Sequence, residues 1–235
     1  MAKSFSMTTS ALKKPALSEA PSVTWSVRKR DRSRPHLKRK VYHFVSGMIC
    51  FLLYGFVLTR EQSLIALATL GGLMVLLDVA RLQFPALNRF GLRLFGAIMR
   101  REELRSLTGN SFYALGLFII VLLFPKPVVM LSILFLAIGD PVAAVVGTSW
   151  GKTRLLHKKS LEGALANFAA SALASFLLGV AYFHLGLESA LLLAGLGGLV
   201  SCLAELTPLP VDDNLTIPVL SAILLFLTFQ LFPLV

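Results

Sequence analysis

This sequence of 235 residues predicts an all-α, polytopic membrane fold: about seven spanning helices with a cytoplasmic N-terminus. Three observations predict it. The chain is 56% hydrophobic with a mean hydropathy of +0.76. Apolar runs follow one another at roughly 41–59, 62–80, 111–124, 127–147, 161–184, 188–206 and 215–234, and about 20 apolar residues are what a bilayer-crossing helix requires. None of these runs alternates polar with apolar residues, as the strands of a membrane barrel would.

A further observation is where the charge sits. The formal net charge is +11, which on its own suggests a polyanionic partner. Yet eleven of the 23 Lys and Arg residues precede Val41, six lie between Arg81 and Arg105, and four between Lys152 and Lys159. Only Arg60 and Lys126 remain for the opposite side of the membrane. That is the positive-inside bias of an integral membrane protein, and it accounts for the charge without nucleic acid. A bacterial inner membrane or a eukaryotic organelle membrane fits equally.

Along the chain, residues 1–37 read as a disordered, basic cytoplasmic tail and 38–235 as a seven-helix transmembrane catalytic domain. The tail lacks the apolar core of a secretory signal. Its "VRKRDRSRPHLKRK" stretch suits an anionic lipid surface. His43 falls near the cytoplasmic mouth of the first helix, as either an interfacial or a functional histidine. Asp78 and Arg81 end the second run three residues apart, so they can pair on one helix face. An ionisable group inside a span is otherwise a functional candidate. "LNRFGLRLFGAIMRREELRS" (87–106) predicts a single amphipathic helix on the cytoplasmic face, with Glu102 and Glu103 as solvated charges. Cys50 and Cys202 lie inside spans and read as packing residues, not as a disulfide or metal pair.

Chemistry concentrates in two stretches. In "LAIGDPVAAVVGTSWGKTRLLHKKSLEGALANF", Asp140 is a costly carboxylate within the fourth run, and Gly139-Asp140-Pro141 predicts a break in that helix. Ala143, Gly147 and Gly151 share one helix face, for close helix packing or for a ligand near the backbone. "GTSWGKT" is not a P-loop: three residues separate its glycines where four are required, and it follows a membrane helix. Lys152, Lys158 and Lys159 then lead to Ser160, a good N-cap, with Glu162 and Gly163 in the first turn of the fifth helix. Lysines beside a helix N-terminus make an anion site. The second stretch, "ELTPLPVDDNLTIPVL", places Glu205, Asp212, Asp213 and Asn214 between the last two runs of a chain that has only twelve acidic residues. Threading puts both stretches on the cytoplasmic side. Carboxylates opposite lysines suit Mg²⁺ and the phosphates of a nucleotide.

These residues resemble a known family: the CTP-dependent lipid-alcohol kinases that include dolichol kinase, phytol kinase and yeast-type diacylglycerol kinase. The resemblance spans about residues 38–235. It is carried by Asp140, Ala143, Gly147 and Gly151-Lys152, by Lys158-Lys159-Ser160 with Glu162-Gly163, and by Glu205 with Asp212-Asp213-Asn214 and Pro218. Weaker matches are Arg39-Lys40 with His43, Asp78 with Arg81, and Arg101 and Glu103 with Thr108-Gly109. It implies CTP as phosphate donor, Mg²⁺ as cofactor, and a polyprenol, phytol or diacylglycerol acceptor in the bilayer. On that basis Asp140, Asp213 and Glu205 are candidate catalytic residues, and Asp140, Asp212 and Asp213 candidate metal ligands. Gly147, Gly151, Lys152, Lys158, Lys159, Ser160, Glu162, Gly163 and Asn214 are candidates for the nucleotide. His43, Asp78, Arg81 and Glu103 serve the substrate or the structure. The wider superfamily also holds phosphatidate cytidylyltransferases, which transfer CMP to a lipid phosphate. Their Pro-Gly-His-Gly-Gly stretch does not occur here, so the kinase is the preferred reading. A transporter would place its acids near mid-bilayer in related halves, and no internal repeat is visible.

Overall fold

The computed structural model describes residues 37–96, 99–100, 102–155 and 159–234. The expected tail therefore lies outside the described residues, apart from Leu37, which opens the first helix. The protein is an all-α membrane protein, and no strand occurs among the described residues.

Helix α1 (Leu37–Leu52) continues through a π turn, Leu53–Val57. Helix α2 (Arg60–Ala66) runs through a second π turn, Leu67–Gly71, into α3 (Gly72–Gln83). Thr59 begins α2 with a capping box: its side chain accepts from Gln62 N, and Gln62 returns a bond to Thr59 N. Pro85 opens α4 (Pro85–Phe95), and a 3₁₀ turn follows at Glu102–Leu104. Then come α5 (Gly109–Leu123), α6 (Lys126–Leu134) with a π turn over Phe135–Gly139, and α7 (Asp140–Ser149). The chain ends with α8 (Leu161–Ala181), α9 (Leu187–Leu206) and α10 (Asp213–Leu231).

Among the described residues, six helical segments are long and apolar enough to cross a bilayer: 38–57, 60–83, 126–149, 161–181, 187–206 and 213–231. The third expected span, α5, has 15 residues. At 1.5 Å per residue it covers about 22 Å, short of a hydrocarbon core of about 30 Å. Its N-terminus is held by Asp78, which accepts from Thr108 N at 2.6 Å and from Ser111 Oγ at 2.8 Å.

The 126–149 segment is the axis of the bundle. It is 72% buried within the protein, against 17% for the second. Val128 to Leu131, Ile133 and Phe135 are almost wholly enclosed, as expected of a helix that is apolar all round. Helices α1, α8 and α10 pack around it. Outward-facing leucines and phenylalanines, such as Leu70, Leu165 and Leu231, supply the lipid-facing surface.

Two local expectations change. Gly139-Asp140-Pro141 does not break its helix. The π turn over Phe135–Gly139 runs directly into α7 with Pro141 in its first turn, because a widened turn absorbs the amide that proline lacks. A buried polar cluster abuts it: a Cβ on Gly139 would meet Ser171 Oγ at 2.7 Å and both Asn167 Nδ2 and Ser201 Oγ at 3.1 Å. The helix expected over 87–106 stops at Phe95. Its second half is drawn into tertiary bonds, with Arg81 Nη2 donating to the carbonyls of Glu103 and Ser106 at 2.8 and 2.7 Å. Cys50 and Cys202 are both free, in α1 and α9.

Candidate active site

One end of the bundle gathers the N-terminus of α1, the C-termini of α3 and α9, the N-termini of α5, α8 and α10, and the end of α7. Asp140, in the first turn of α7, accepts from Lys40 Nζ at 2.6 Å. Lys159, just before α8, lies between Glu205 Oε1 at 3.3 Å and Asp213 Oδ2 at 3.4 Å. Asp212 Oδ2 pairs with Arg100 Nη1 at 2.9 Å. Four carboxylates thus meet three cations, drawn from five separate stretches of sequence.

Burial alone would lower the pKa of Lys159. The carboxylates of Asp213, Glu205 and Asp140 outweigh it and hold the ammonium above the ordinary lysine value of 10.5. Glu205 is buried, and its Oε2 has no hydrogen-bond partner. A buried carboxylate oxygen left unmet is costly. The single-charge excess of carboxylates and that open oxygen fit a divalent cation such as Mg²⁺, which needs only one or two protein carboxylates besides phosphate oxygens and water. A ready-made cage of three or more His, Cys, Asp or Glu side chains does not occur among the described residues.

Asp212 has a second task. Its Oδ1 accepts from Asn214 N at 3.0 Å and caps α10, so both its oxygens are engaged. Asp213 has no capping role and faces Lys159. Asn214 is buried and donates to the Gly109 carbonyl at 3.2 Å, tying α10 to α5. Ser160 caps α8 by accepting from Gly163 N at 3.1 Å. Thr153 O takes the Leu161 amide at 2.9 Å, and the Glu162 carboxylate takes the Thr153 amide at 3.1 Å. Two amides of this helix end, those of Leu161 and Gly163, are thus already bonded within the chain. Lys152 is exposed in that loop, and Lys158 lies outside the described residues. Gly147 and Gly163 meet at the α7–α8 crossing, with Gly151 against Ser160.

Three of the residues left between substrate and structure serve the structure. Asp78 binds Arg81 Nε at 2.5 Å as well as Thr108 and Ser111. Glu103, expected as a solvated charge, is buried: it accepts from Arg39 Nη1 at 2.7 Å and from Arg100 N at 3.0 Å. These bonds fasten the segment after α4 to α1 and α3. His43 is buried, and its ring stands edge-on to that of Tyr42, with centroids 5.7 Å apart. The sequence marked Lys40 only within the weaker match of Arg39-Lys40 with His43, without a role, and did not mark Arg100. Lys40 was hidden among eleven basic residues, although its i, i+3 spacing from His43 was a usable signal.

Fold and site together define a polytopic membrane protein with a charged, carboxylate-rich centre at one end. The chain is 31% identical over 217 residues to CTP-dependent diacylglycerol kinase 1 of Schizosaccharomyces pombe, covering 87% of this chain and 97% of the relative. It is 30% identical over 210 residues to CTP-dependent diacylglycerol kinase 1 of Saccharomyces cerevisiae, covering 81% and 72%. Phytol kinase 1 of Arabidopsis thaliana is 25% identical over 219 residues, covering 87% and 70%. The chain belongs to the family of CTP-dependent lipid kinases. No protein-family model and no solved structure matches it.

Proposed function

We propose that the protein transfers the γ-phosphoryl group of CTP to the hydroxyl of a membrane lipid alcohol, of the polyprenol, phytol or diacylglycerol type, at the cytoplasmic face. One observation carries the reading: Lys159 joins Glu205 to Asp213 while Lys40 holds Asp140, so residues far apart in sequence form one charged centre at one membrane face. The names of the relatives favour diacylglycerol within that class.

In the transfer, the bond from the lipid oxygen to the γ-phosphorus forms, the bond from that phosphorus to the β,γ-bridging oxygen breaks, and CDP departs. Such a reaction depends on positioning and on neutralising charge. Lys159 and Lys40 supply positive charge for the phosphates. Asp140, beside Lys40, accepts the hydroxyl proton. Asp213 and Glu205 would hold Mg²⁺, which supplies charge neutralisation at the phosphates.

The test uses purified protein in vesicles with CTP labelled at either the γ or the α phosphate. The γ label is expected in the lipid and the α label in CDP, with diacylglycerol, phytol and a polyprenol as competing acceptors. Transfer of the α label to phosphatidate overturns the reading in favour of a cytidylyltransferase.

A further inference from the structure

A cavity of about 330 Å³ lies beneath the amphipathic helix α4, walled by α1, α3 and the segment leading into α5. We infer that it is the acceptor site, taking a neutral lipid alcohol with its hydroxyl inward at Arg39 and His43 and its hydrocarbon outward into the bilayer. The identity of the alcohol rests on the kinase reading; the existence of the site does not.

Four observations carry it. Most of the wall is apolar, with Met74, Leu77, Phe90 and Leu94 prominent. Leu77, Phe90 and Leu94 are also 51%, 57% and 58% exposed on a surface that faces lipid, so the cavity and the bilayer share a wall. Its volume is at the low end for small-molecule sites. It accommodates a headgroup and the first part of a chain, and leaves the rest in the membrane.

The charged residues at the inner end cancel in pairs, Asp78 with Arg81 and Arg39 with Glu103. The cavity therefore offers no net charge to an anionic headgroup, and burying an unpaired one there would be costly. Yet one polar group remains open. Arg39 is buried, lines the cavity, and has an Nη2 without a hydrogen-bond partner. His43 lines it too. A donor left open in an apolar cavity matches the oxygen of an alcohol or its neighbouring ester.

The same two residues place the cavity beside the charged centre. Lys40, which holds Asp140, is adjacent to Arg39 and three residues before His43 on α1. The inner end of the cavity and the pair formed by Lys40 and Asp140 are thus both built on the first turns of α1.

The test is photolabelling of the full chain in phosphatidylcholine vesicles, without CTP, using a diacylglycerol that carries a diazirine in its acyl chain. The expected label falls on peptides from α3 and α4, is competed by unlabelled diacylglycerol, and drops at least tenfold in Gly91→Phe. Gly91 lines the cavity, and a Cβ there has open space, its nearest neighbour being Arg81 Cδ at 3.8 Å. In turnover, the same variant raises the KM for lipid at least tenfold and leaves the KM for CTP unchanged. Competable label confined to other helices, or a Gly91→Phe protein that labels and turns over like the wild type, overturns the site. If the label falls in the cavity but the γ phosphate of CTP never reaches lipid in the same preparation, the site stands and the kinase reading fails. Transfer of phosphate with label elsewhere does the reverse.

Discussion

Lys159 is the residue on which the charged centre turns, because one ammonium serves two carboxylates of different burial. Glu205 is enclosed while Asp213 is half-exposed. Lys159→Ala leaves Glu205 with neither oxygen met, so it is expected to raise the KM for CTP about tenfold and to lower stability, with Lys159→Arg recovering part of both. Asp213→Asn keeps shape and removes charge. It is expected to lower kcat/KM by about 10²–10³, or about 3–4 kcal/mol, if Asp213 holds the metal. Asp212→Asn still caps α10 and loses only the partly exposed pair with Arg100, so a change of about 1 kcal/mol or less in stability and near-normal turnover are expected. Equal losses in the two aspartate variants would reject this division of labour. The pH dependence has a definite sign. Lys159 has a higher pKa folded than unfolded, so its contribution is fully present below the unfolded value of about 10.5 and is lost as pH rises through the folded value. Thermal melts between pH 8 and 10 should therefore show no loss attributable to Lys159. At this scale the carboxylates were legible, since acids are scarce and costly in an apolar chain. Lys40 and Arg100 were not, because one basic residue among many carries no mark of its partner.

Helices α7 and α8 show how packing sets the geometry of that centre. A Cβ on Gly163 would meet the Ala143 carbonyl at 2.9 Å and Gly147 Cα at 3.3 Å, both backbone atoms that cannot swing aside. Gly163→Val is expected to part the two helices and move Lys159, lowering the thermal midpoint and turnover together, with a stability loss of about 2 kcal/mol or more. Gly195 in α9 is the control. A Cβ there meets nothing within 4 Å, so Gly195→Ala is expected to be neutral or to stabilise by up to about 1 kcal/mol. Thermal melts in detergent compare the two, and similar behaviour would refute the packing account. The i, i+4 spacing of Ala143 and Gly147 already marked this face in the sequence, whereas Gly151, expected on the same helix face, lies beyond α7, which ends at Ser149. The end of α4 did not show there. Periodicity carried the amphipathic pattern on to residue 106, whereas Arg81 binds the carbonyls of Glu103 and Ser106 and draws that stretch out of the helix. A contact between residues more than twenty positions apart leaves no local signal.

Across the whole molecule, the two ends of the bundle differ in chemistry, and that difference predicts how it lies in the membrane. The end with Asp140, Lys159 and Glu205 holds nearly all the charge among the described residues. At the far end Arg60 donates to the carbonyls of Val121 and Leu122 at 3.0 and 2.7 Å, satisfying the C-terminus of α5. Lys126 lies 5.9 Å from the ring centres of Tyr54 and Tyr182. These two basic residues are thus used locally, while the other 21 precede Val41 or lie in the 81–105 and 152–159 stretches. An excess of Lys and Arg marks the cytoplasmic side, so the charged centre is expected there. The check uses a protein whose Cys50 and Cys202 are replaced and which carries one new cysteine. Leu209→Cys lies in the exposed α9–α10 connection, and Gly186→Cys in the α8–α9 connection, where a side chain meets nothing within 4 Å. An impermeant maleimide added to right-side-out vesicles should label Gly186→Cys and spare Leu209→Cys, and inverted vesicles should exchange the two. The opposite pattern would put Asp140, Asp213 and the lysines on the far side of the membrane, and with them the assignment of a cytoplasmic nucleotide site would fall.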